Sequence, residues 1–476
     1  MLKALVMTAH GVDLKIINAK VPFVSESEPN NLVECGIAIN DGLIEQVAKP
    51  DNLPKSDEVF DAKGMVVLPG LVDVHAHLRG LNLSYKEDFD TGTMAAVAGG
   101  ITTVLDMQNT DPPTINPENL KAKKESAKNK IVADVGFFSS IPDDLINDLP
   151  KMIDLGIAGF KIYPLHPYTK YDIYDQDAVL EAFLKLSGCK LPICIHAIDV
   201  SSKSIKSKNK GALEQDFGSD EITNFLNKHP PELEASAVKF YSKIAISAGV
   251  HIHISHLSSL KSLEIFKLGL LHIPDKKDGK FKITADVSPH HLFLTKEELK
   301  RRGAFAKMVE PLRAKEDNDI LWQALKCGTL NIVASEHAPH PKQEKEKSFS
   351  EAPSGVPNLE TMLPMMYTEV LGGRLTYKRL IEVCSENPAK VFSLERKGMI
   401  RKGYFADLVV ISNTNEKINP DNFFSKAKHS PFDGRIIKAK PYATFLRGVK
   451  VYEDGDILVK PGCGNIIRPS YSFSPL

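Results

Sequence analysis

The sequence predicts an α/β protein, a TIM-like (β/α)8 barrel with a small β-sandwich built from both ends of the chain. Between residues 66 and 395, short apolar runs alternate with longer amphipathic stretches, which is the pattern of parallel strands joined by helices. On either side, in residues 1–65 and 396–476, short strand-like segments are separated by turn residues instead. We therefore expect a barrel formed by 66–395 and a sandwich formed by 1–65 together with 396–476.

Both ends of the chain are rich in strand signals and poor in helix signals. The first contains LKIINAK and CGIAINDGLIEQVAK, in which Asn-Asp-Gly predicts a hairpin turn. The second contains ADLVVIS and YATFLRGVKVYEDGDILVK, again with turn residues between apolar runs. Both ends thus supply β structure around a central α/β body, and we expect the two to form one small sandwich.

The composition indicates a partner that is a small molecule. Lys and Arg number 60 and Asp and Glu number 60, so bulk charge favours neither nucleic acid nor a membrane surface. The six cysteines include no C-x-x-C pair, which indicates a reducing compartment, and no window reaches the roughly 18 apolar residues of a spanning helix. We expect a soluble cytoplasmic protein.

Five apolar runs each end in, or contain, a residue that can bind a metal. The C-terminal ends of parallel barrel strands converge on one face, so ligands on different strands can meet there. The runs are VVLPGLVDVHAH with His75 and His77, GIAGFKIY with Lys161, LPICIHAID with His196, GVHIHISHLSS with His256, and LNIVASEHAPH with Glu336, His337 and His340.

The strongest of these signals is the pair His75 and His77. Side chains alternate along a strand, so residues at i and i+2 point to the same side, here toward the barrel axis. Two imidazoles on one face form a bidentate clamp for zinc or a similar metal.

Each of the other signals has a structural alternative when it is taken alone. A single strand-end His is more often hydrogen-bonded than metal-bound, and Lys161 could be an ordinary strand-end cation. We favour His256 over its strand neighbours His251 and His253 because it stands at the end of the run. Four further histidines read as hydrogen-bonded surface or core residues: His166, His229, His272 and His429.

Two Lys-rich stretches are expected to be polar loops. The stretch 201–211 reads as a solvated insertion. The stretch 340–353 follows the last candidate ligands, so a role in covering substrate is an alternative for it.

The segment GLVDVHAHLRG, followed by KEDFDTGTMAAVAGGITTVLDMQNTDPPT, resembles the first-strand signature and following helix of dihydroorotases. The resemblance continues through SPHHLFLT, MVEPLRAKED, SEHAPH, SGVPNLETMLPMM, NPAKVFSLERKGMIRKGYFADLVVI and SPFDGR. It covers nearly the whole chain outside the N-terminal extension and the loops. Hydantoinases and allantoinases share the fold and metal ligands, and they are the relatives to exclude.

The resemblance implies a centre with two zinc ions. Lys161 would be carbamylated by CO₂, and its carbamate would bridge the two ions. His75 and His77 would bind the more buried ion, and His196 and His256 would bind the second.

The resemblance also implies the catalytic and substrate-binding residues. Glu336, directly before HAPH, would bind the first ion and accept the proton of the attacking hydroxide. Arg79, Asn109 and His340 would bind the free carboxylate of dihydroorotate, for which a planar guanidinium is suited because it pairs bidentately. This carboxylate clamp favours dihydroorotate over a hydantoin.

Three positions depart from the family pattern. Glu336 stands where the family has Asp, one methylene shorter. MQNT replaces the usual M-P-N-T but keeps Asn109. Val309 and Glu310 stand where the family has Asn-Pro, which removes an amide expected to contact the substrate ring.

The function implied is that of a dihydroorotase, which cyclises N-carbamoyl-L-aspartate reversibly to dihydroorotate in de novo pyrimidine biosynthesis, with a metal-activated hydroxide attacking in the hydrolytic direction. One alternative is a hydantoinase or allantoinase. The other is an inactive dihydroorotase-like scaffold partner of aspartate transcarbamoylase. The partners expected are a small-molecule substrate, a second copy in a homodimer, and aspartate transcarbamoylase.

Overall fold

The structure is a computed structural model that describes residues 11–199, 220–271 and 283–470. The stretch 201–211 and His272 lie outside the described residues. The strands in chain order are β1 Val12–Pro22, β2 Leu32–Asn40, β3 Leu43–Ala48, β4 Ser56–Asp61, β5 Val66–Pro69, β6 Leu71–Ala76, β7 Ile101–Asp106, β8 Asp134–Ser139, β9 Gly159–Ile162, β10 Ile193–His196, β11 Ile252–Ser255, β12 Ile283–Val287, β13 Ile332–Val333, β14 Leu408–Lys417, β15 Ile436–Leu446, β16 Val449–Glu453 and β17 Asp456–Ile457.

Helices follow most of the strands between β6 and β14. The α-helices of the described part of the chain are Phe89–Ala98, Pro117–Lys128, Leu145–Asp154, Gln176–Leu186, Glu221–Lys228, Pro231–Ala248, Leu260–Leu271, Pro289–Phe293, Lys296–Arg302, Lys315–Lys326, Lys342–Lys345, Met362–Leu371, Tyr377–Ile381 and Asn387–Val391. None of the described helices is both long and apolar enough to span a membrane.

The strands β6 to β13 form an eight-stranded parallel sheet in sequence order. Residues of these strands are buried throughout, as expected for a parallel sheet covered on both faces. The sheet closes where Ala76 bridges His337 in parallel and the backbone N–H of His77 donates to the carbonyl of His337 at 2.8 Å. The prediction of a (β/α)8 barrel is confirmed.

Acidic and amide side chains start several barrel helices by accepting hydrogen bonds from free backbone N–H groups. Asp88 begins the helix Phe89–Ala98 in a capping box with Thr91, and Asn116 begins the next helix by accepting from the N–H of Asn119. Asp175 caps a third helix in the same way. These caps set where the loops at the C-terminal ends of the strands finish.

The two ends of the chain build a second sheet, as predicted. Its strand order is β17-β16-β15-β14-β5-β1-β2-β3, with β4 paired to β1. Its own apolar core includes Ile16, Ile37, Leu408 and Phe445. The strand β5 belongs to this sheet because it pairs antiparallel with β14.

Gly70 is the only residue between β5 of the terminal sheet and β6 of the barrel. A Cβ at Gly70 would lie 2.3 Å from Oγ1 of Thr102, so a side chain at this position would clash with β7. The chain therefore passes from one sheet to the other at a point where only glycine fits.

The last described residues return to the barrel rather than staying in the terminal sheet. The N–H of Val135 donates to the carbonyl of Asn465 at 2.9 Å, and the N–H of Ile467 donates to the carbonyl of Val135 at 2.9 Å. The segment after β17 thus continues the hydrogen bonding of β8.

A buried cluster of charges joins the barrel to the terminal sheet. The ammonium of Lys397 lies 2.8 Å from Asp134 of β8 and 2.7 Å from Asp407, which precedes β14. Arg447 pairs with the other oxygen of Asp134 and donates to the carbonyl of Cys463 at 2.7 Å. Because Lys397, Asp134 and Asp407 are nearly inaccessible to water, each of these charges depends on its partners.

We predict that Lys397→Met destabilises the protein by about 3–5 kcal/mol, because it leaves Asp134 and Asp407 as buried carboxylates without their shared cation. Thermal denaturation of the purified variant measures the effect. The matched control is Lys402→Met, which removes an exposed pair with Glu45 and should cost no more than about 1 kcal/mol. Equal losses in the two variants would contradict the prediction.

Candidate metal and substrate site

A cleft of about 590 Å³ lies at the C-terminal ends of the barrel strands. The predicted site residues other than His340 line this cleft: His75, His77, Arg79, Asn109, Lys161, His196, His256 and Glu336. They come from the ends of β6, β7, β9, β10, β11 and β13, so the barrel brings together side chains that are far apart in sequence. This is the face on which barrel enzymes carry their active sites.

Three of the cleft residues have a left-handed backbone although none is glycine. The φ angles are 60° at Arg79, 41° at His256 and 48° at Glu336. Each residue follows a different strand, and such conformations cost about 1–3 kcal/mol and persist where the surrounding structure holds them. Strain at three strand ends around one cleft indicates a functional site.

The first histidine pair is arranged to present nitrogen lone pairs to the cleft. Nδ1 of His77 lies 2.6 Å from the side-chain oxygen of Asn109. This oxygen can accept a hydrogen bond from Nδ1–H, which leaves Nε2 with a free lone pair. His75 is buried, and its Nδ1 has no hydrogen-bond partner among the described residues. Burial, together with the positive charge of Lys161 near His75 and of Arg79 near His77, holds the pKa of each ring well below its usual range. Neutral imidazole is the form that binds a metal.

The second histidine pair meets nitrogen to nitrogen. Nδ1 of His196 lies 3.0 Å from Nε2 of His256, and both rings are buried. Burial lowers the pKa of His196 to about 3 and the pKa of His256 well below its usual range. Two neutral rings with converging nitrogens fit the donor set that zinc prefers.

Lys161 lies in β9 and is fully buried. Its ammonium donates to the hydroxyl of Ser255 at 2.8 Å. Burial lowers the pKa of Lys161, and the nearby carboxylates only partly oppose this effect. A depressed pKa increases the neutral amine, which is the form that reacts with CO₂.

Glu336 is held toward β12 rather than toward the first histidine pair. Its Oε2 accepts from the hydroxyl of Ser288 at 3.2 Å and lies 3.0 Å from Nε2 of His290, whereas Oε1 lies 3.8 Å from Nε2 of His256. Nδ1 of His290 in turn contacts the amide of Asn358 at 3.0 Å. The extra methylene of Glu336 is what reaches this set of partners.

Two groups of three side chains in the described residues have ligand atoms within 4.8 Å of one another. They are His196, His256 and Glu310, and His290, His291 and Glu336. Glu336 is therefore grouped with the two histidines of the helix Pro289–Phe293 that follows β12, and not with His75 and His77 of the neighbouring strand β6.

His340 lies behind Arg79 instead of on the cleft wall. Its Nδ1 lies 2.8 Å from the carboxylate of Glu344 and 3.2 Å from the ammonium of Lys86, and its Nε2 lies 3.4 Å from the guanidinium of Arg79. Burial, with the nearby charges of Arg79 and Lys86, lowers the pKa of His340. A neutral His340 can accept from the guanidinium and hold it in place.

His251 and His253 face away from the cleft. Both contact the hydroxyl of Thr284, and Nε2 of His253 lies 2.8 Å from Asp286. The same carboxylate accepts from the backbone N–H of His256 at 2.6 Å. These contacts hold the end of β11, after which His256 follows.

The stretch 340–353 does not line the cleft itself, but its Lys345 binds the residues that follow it and do line the cleft. The ammonium of Lys345 donates to the carbonyls of Pro353 and Gly355 at 2.8 and 2.9 Å, and Ser354 and Gly355 line the cleft. Its role in covering substrate stays a prediction.

Sequence reasoning missed two residues that contact the second histidine pair. Tyr163 lines the cleft and packs edge-on against His196, with ring centroids 4.7 Å apart; its position two residues after Lys161 was a usable signal. Glu310 is buried with Oε1 2.7 Å from Nε2 of His196, and burial raises the pKa of Glu310 to about 8. From the sequence, Glu310 was identified only as part of the Val309-Glu310 pair that replaces the family's Asn-Pro.

Residues 66–448 match the amidohydrolase family. The chain therefore belongs to the amidohydrolase family and is a hydrolase of the cyclic amidohydrolase class. It is 34% identical to a dihydroorotase of Methanosarcina mazei over 96% of this chain and 98% of the relative. It is 32% identical to a dihydroorotase of Clostridioides difficile over 87% of this chain and 94% of the relative. The resemblance to dihydroorotases is confirmed.

Solved structures show the same architecture. An L-hydantoinase (dihydropyrimidinase) from Arthrobacter aurescens matches with a TM-score of 0.86 and 28% sequence identity, covering 96% of this chain and 100% of that one. Sequence relatives and this structural neighbour agree on the class of enzyme. They differ in the ring named, so the choice of substrate rests on the site.

Proposed function

We propose that this protein is a dihydroorotase, which interconverts N-carbamoyl-L-aspartate and dihydroorotate in pyrimidine biosynthesis. The observation that carries the proposal is Arg79, a buried guanidinium on the cleft wall that His340 contacts from behind. Dihydroorotate has a free carboxylate that a guanidinium can bind bidentately, and a simple hydantoin ring has none. The dihydroorotase relatives support the same choice.

We propose further that zinc ions are held by His75 and His77 and by His196 and His256, with carbamylated Lys161 between the two pairs. The neutral imidazoles and the depressed pKa of Lys161 support this ligand set. Zinc bound here would lower the pKa of water and polarise the amide carbonyl.

The chain's own residues account for proton transfer and orientation. Glu336 accepts the proton of the attacking water and returns it to the ring nitrogen as the amide bond breaks; the reverse order closes the ring. Ser288 and His290 hold the carboxylate in one rotamer. Arg79 and Asn109, which lie beside His77, fix the free carboxylate of the substrate, so that the ring carbonyl faces the metal ligands.

The alternatives differ from this proposal in their use of the site. A hydantoinase or allantoinase would have no need of Arg79 as a carboxylate clamp, and assays on the three rings separate them. An inactive partner of aspartate transcarbamoylase would have no need to keep Glu336 at the cleft with two supporting residues. A cytoplasmic homodimer and an association with aspartate transcarbamoylase stay expectations.

We predict that Lys161→Ala loses metal and lowers the hydrolysis rate by about two to three decades, on the order that metal-site catalysis supplies. Small carboxylic acids should restore part of both by occupying the place of the carbamate. Elemental analysis and a dihydroorotate hydrolysis assay measure this. The control is Lys190→Ala, an exposed lysine beside β10. A metal-replete and fully active Lys161→Ala protein would rule out the bridging carbamate.

We predict that Arg79→Met raises KM for dihydroorotate strongly while the metal content stays unchanged. Loss of a hydrogen-bonded charge pair in a partly desolvated site costs about 2–5 kcal/mol. The KM of Arg79→Lys, which keeps the charge but not the planar guanidinium, should lie between those of the parent and of Arg79→Met. The dihydroorotase assignment fails if the activity of the parent protein toward a neutral hydantoin equals its activity toward dihydroorotate.

We predict that Glu336→Asp lowers activity although Asp is the family residue. Shortening the side chain by about 1.5 Å withdraws the carboxylate from Ser288 and His290, and a displacement of about 1 Å can cost a hundredfold in rate. Glu336→Gln should be slower still because it cannot accept the proton. The measurement is a pH–rate profile of the three proteins. A Gln variant as active as the parent would remove Glu336 from the mechanism, and a silent parent rescued by Asp would establish the scaffold alternative.

A further inference from the structure

Glu310 touches both histidines of the second pair. Its carboxylate is buried, with Oε1 2.7 Å from Nε2 of His196 and Oε2 3.4 Å from Nδ1 of His256. The two rings come from different strands, β10 and β11, and Glu310 comes from the loop that follows the helical turn Gly303–Ala306. One carboxylate thus spans two residues that the proposed function assigns to one ion.

The contacts of Glu310 are on the far edges of the rings. The near edges, Nδ1 of His196 and Nε2 of His256, face each other at 3.0 Å, and the latter faces Glu336 at 3.8 Å. Both histidines line the cleft, whereas Glu310 does not line it and lies instead beside a separate small pocket with Ala197, Ile198 and Glu234. Glu310 therefore lies behind the rings as seen from the cleft.

We propose that Glu310 is a positioning residue that orients His196 and His256 together toward the second ion. This rests on the proposed function in that it takes the two histidines as ligands. Burial favours the protonated form of Glu310, whereas one N–H from each ring would favour the ionised form. The ionised carboxylate accepts both N–H groups, which fixes both tautomers and leaves both cleft-side nitrogens as lone pairs. A carboxylate behind a ligating histidine also raises its basicity toward the metal.

The present geometry leaves these atoms unsatisfied. Nε2 of His196, Nδ1 of His256 and both oxygens of Glu310 have no hydrogen bond of good geometry within the described residues, although the distances are short. A buried set of donors and acceptors this close is expected to be satisfied in the working protein.

The test compares the full-length parent with Glu310→Gln, Glu310→Asp and the control Glu234→Gln. A glutamine has one acceptor oxygen and turns its NH₂ toward the other ring, so it can serve only one histidine. Glu234 is also buried nearby, but its carboxylate accepts from Ser258 and Ser259 and contacts neither ring. Cobalt titration of the metal-free proteins, followed by visible absorption, measures the affinity of each ion.

We expect Glu310→Gln to bind the second cobalt ion about 10–100-fold more weakly, as removal of such partners does at other metal sites, with the first ion unchanged. Glu310→Asp should retain part of the affinity and Glu234→Gln nearly all of it. Excess metal should restore kcat in Glu310→Gln, because a positioning residue takes no part in the chemistry.

Three results would overturn the inference. Second-ion affinity within twofold of the parent in Glu310→Gln would show that the carboxylate does not act on the histidines. Loss of one oxygen ligand from the X-ray absorption spectrum of that variant would make Glu310 a direct ligand. An equal loss in Glu234→Gln would show a general effect of removing a buried charge. A parent that binds no second ion would instead refute the proposed metal centre.

Discussion

The site depends on the seam that closes the barrel between β13 and β6. The strand β13 has only two residues, so its backbone can supply few ladder bonds to β6. Asp73, buried in β6, adds side-chain hydrogen bonds across this seam. It accepts from the N–H of Ser335 at 2.9 Å and from the hydroxyl of Ser335 at 2.5 Å. Because His75 follows Asp73 by two residues and Glu336 follows Ser335 directly, this contact places the first and last strands of the site side by side.

Burial is the second constraint, and it acts on charge. The metal-ligand candidates lie where solvent cannot stabilise an ionised ring or ammonium, so the pKa values of His75, His196 and Lys161 are all lowered. The result is a set of neutral donors around a cleft whose fixed charges are Arg79 at one end and the carboxylate of Glu336 at the other. Such a site favours a cation among the rings and an anionic substrate group beside Arg79.

The barrel and the convergence of the candidate ligands could be predicted because both depend on local patterns. Strand periodicity puts His75 and His77 on one side, and strand ends of a parallel barrel must meet. The passage from one sheet to the other at Gly70 could not be predicted, since VVLPGLVDVHAH reads as one buried run and the clash that requires glycine comes from Thr102.

The placement of individual side chains within the site was less accessible for the same reason. The sequence does not indicate that Nδ1 of His340 contacts Glu344 while Nε2 of His340 faces Arg79. Nor does it show that Glu310 reaches two histidines, because those contacts join three separate stretches of chain. Such roles depend on rotamers and on non-local neighbours, which a pattern of residue types does not contain.

Two of the three departures from the family pattern meet at one residue, His256. Glu336 approaches Nε2 of His256 from the cleft at 3.8 Å, and Glu310 approaches Nδ1 of the same ring from behind at 3.4 Å. A carboxylate behind the ring strengthens its lone pair on the cleft side, where Glu336, drawn toward Ser288 and His290, lies off the first histidine pair. Two carboxylates that both depart from the family pattern therefore contact the same ring, Glu336 at the edge of His256 that faces the cleft and Glu310 at the opposite edge.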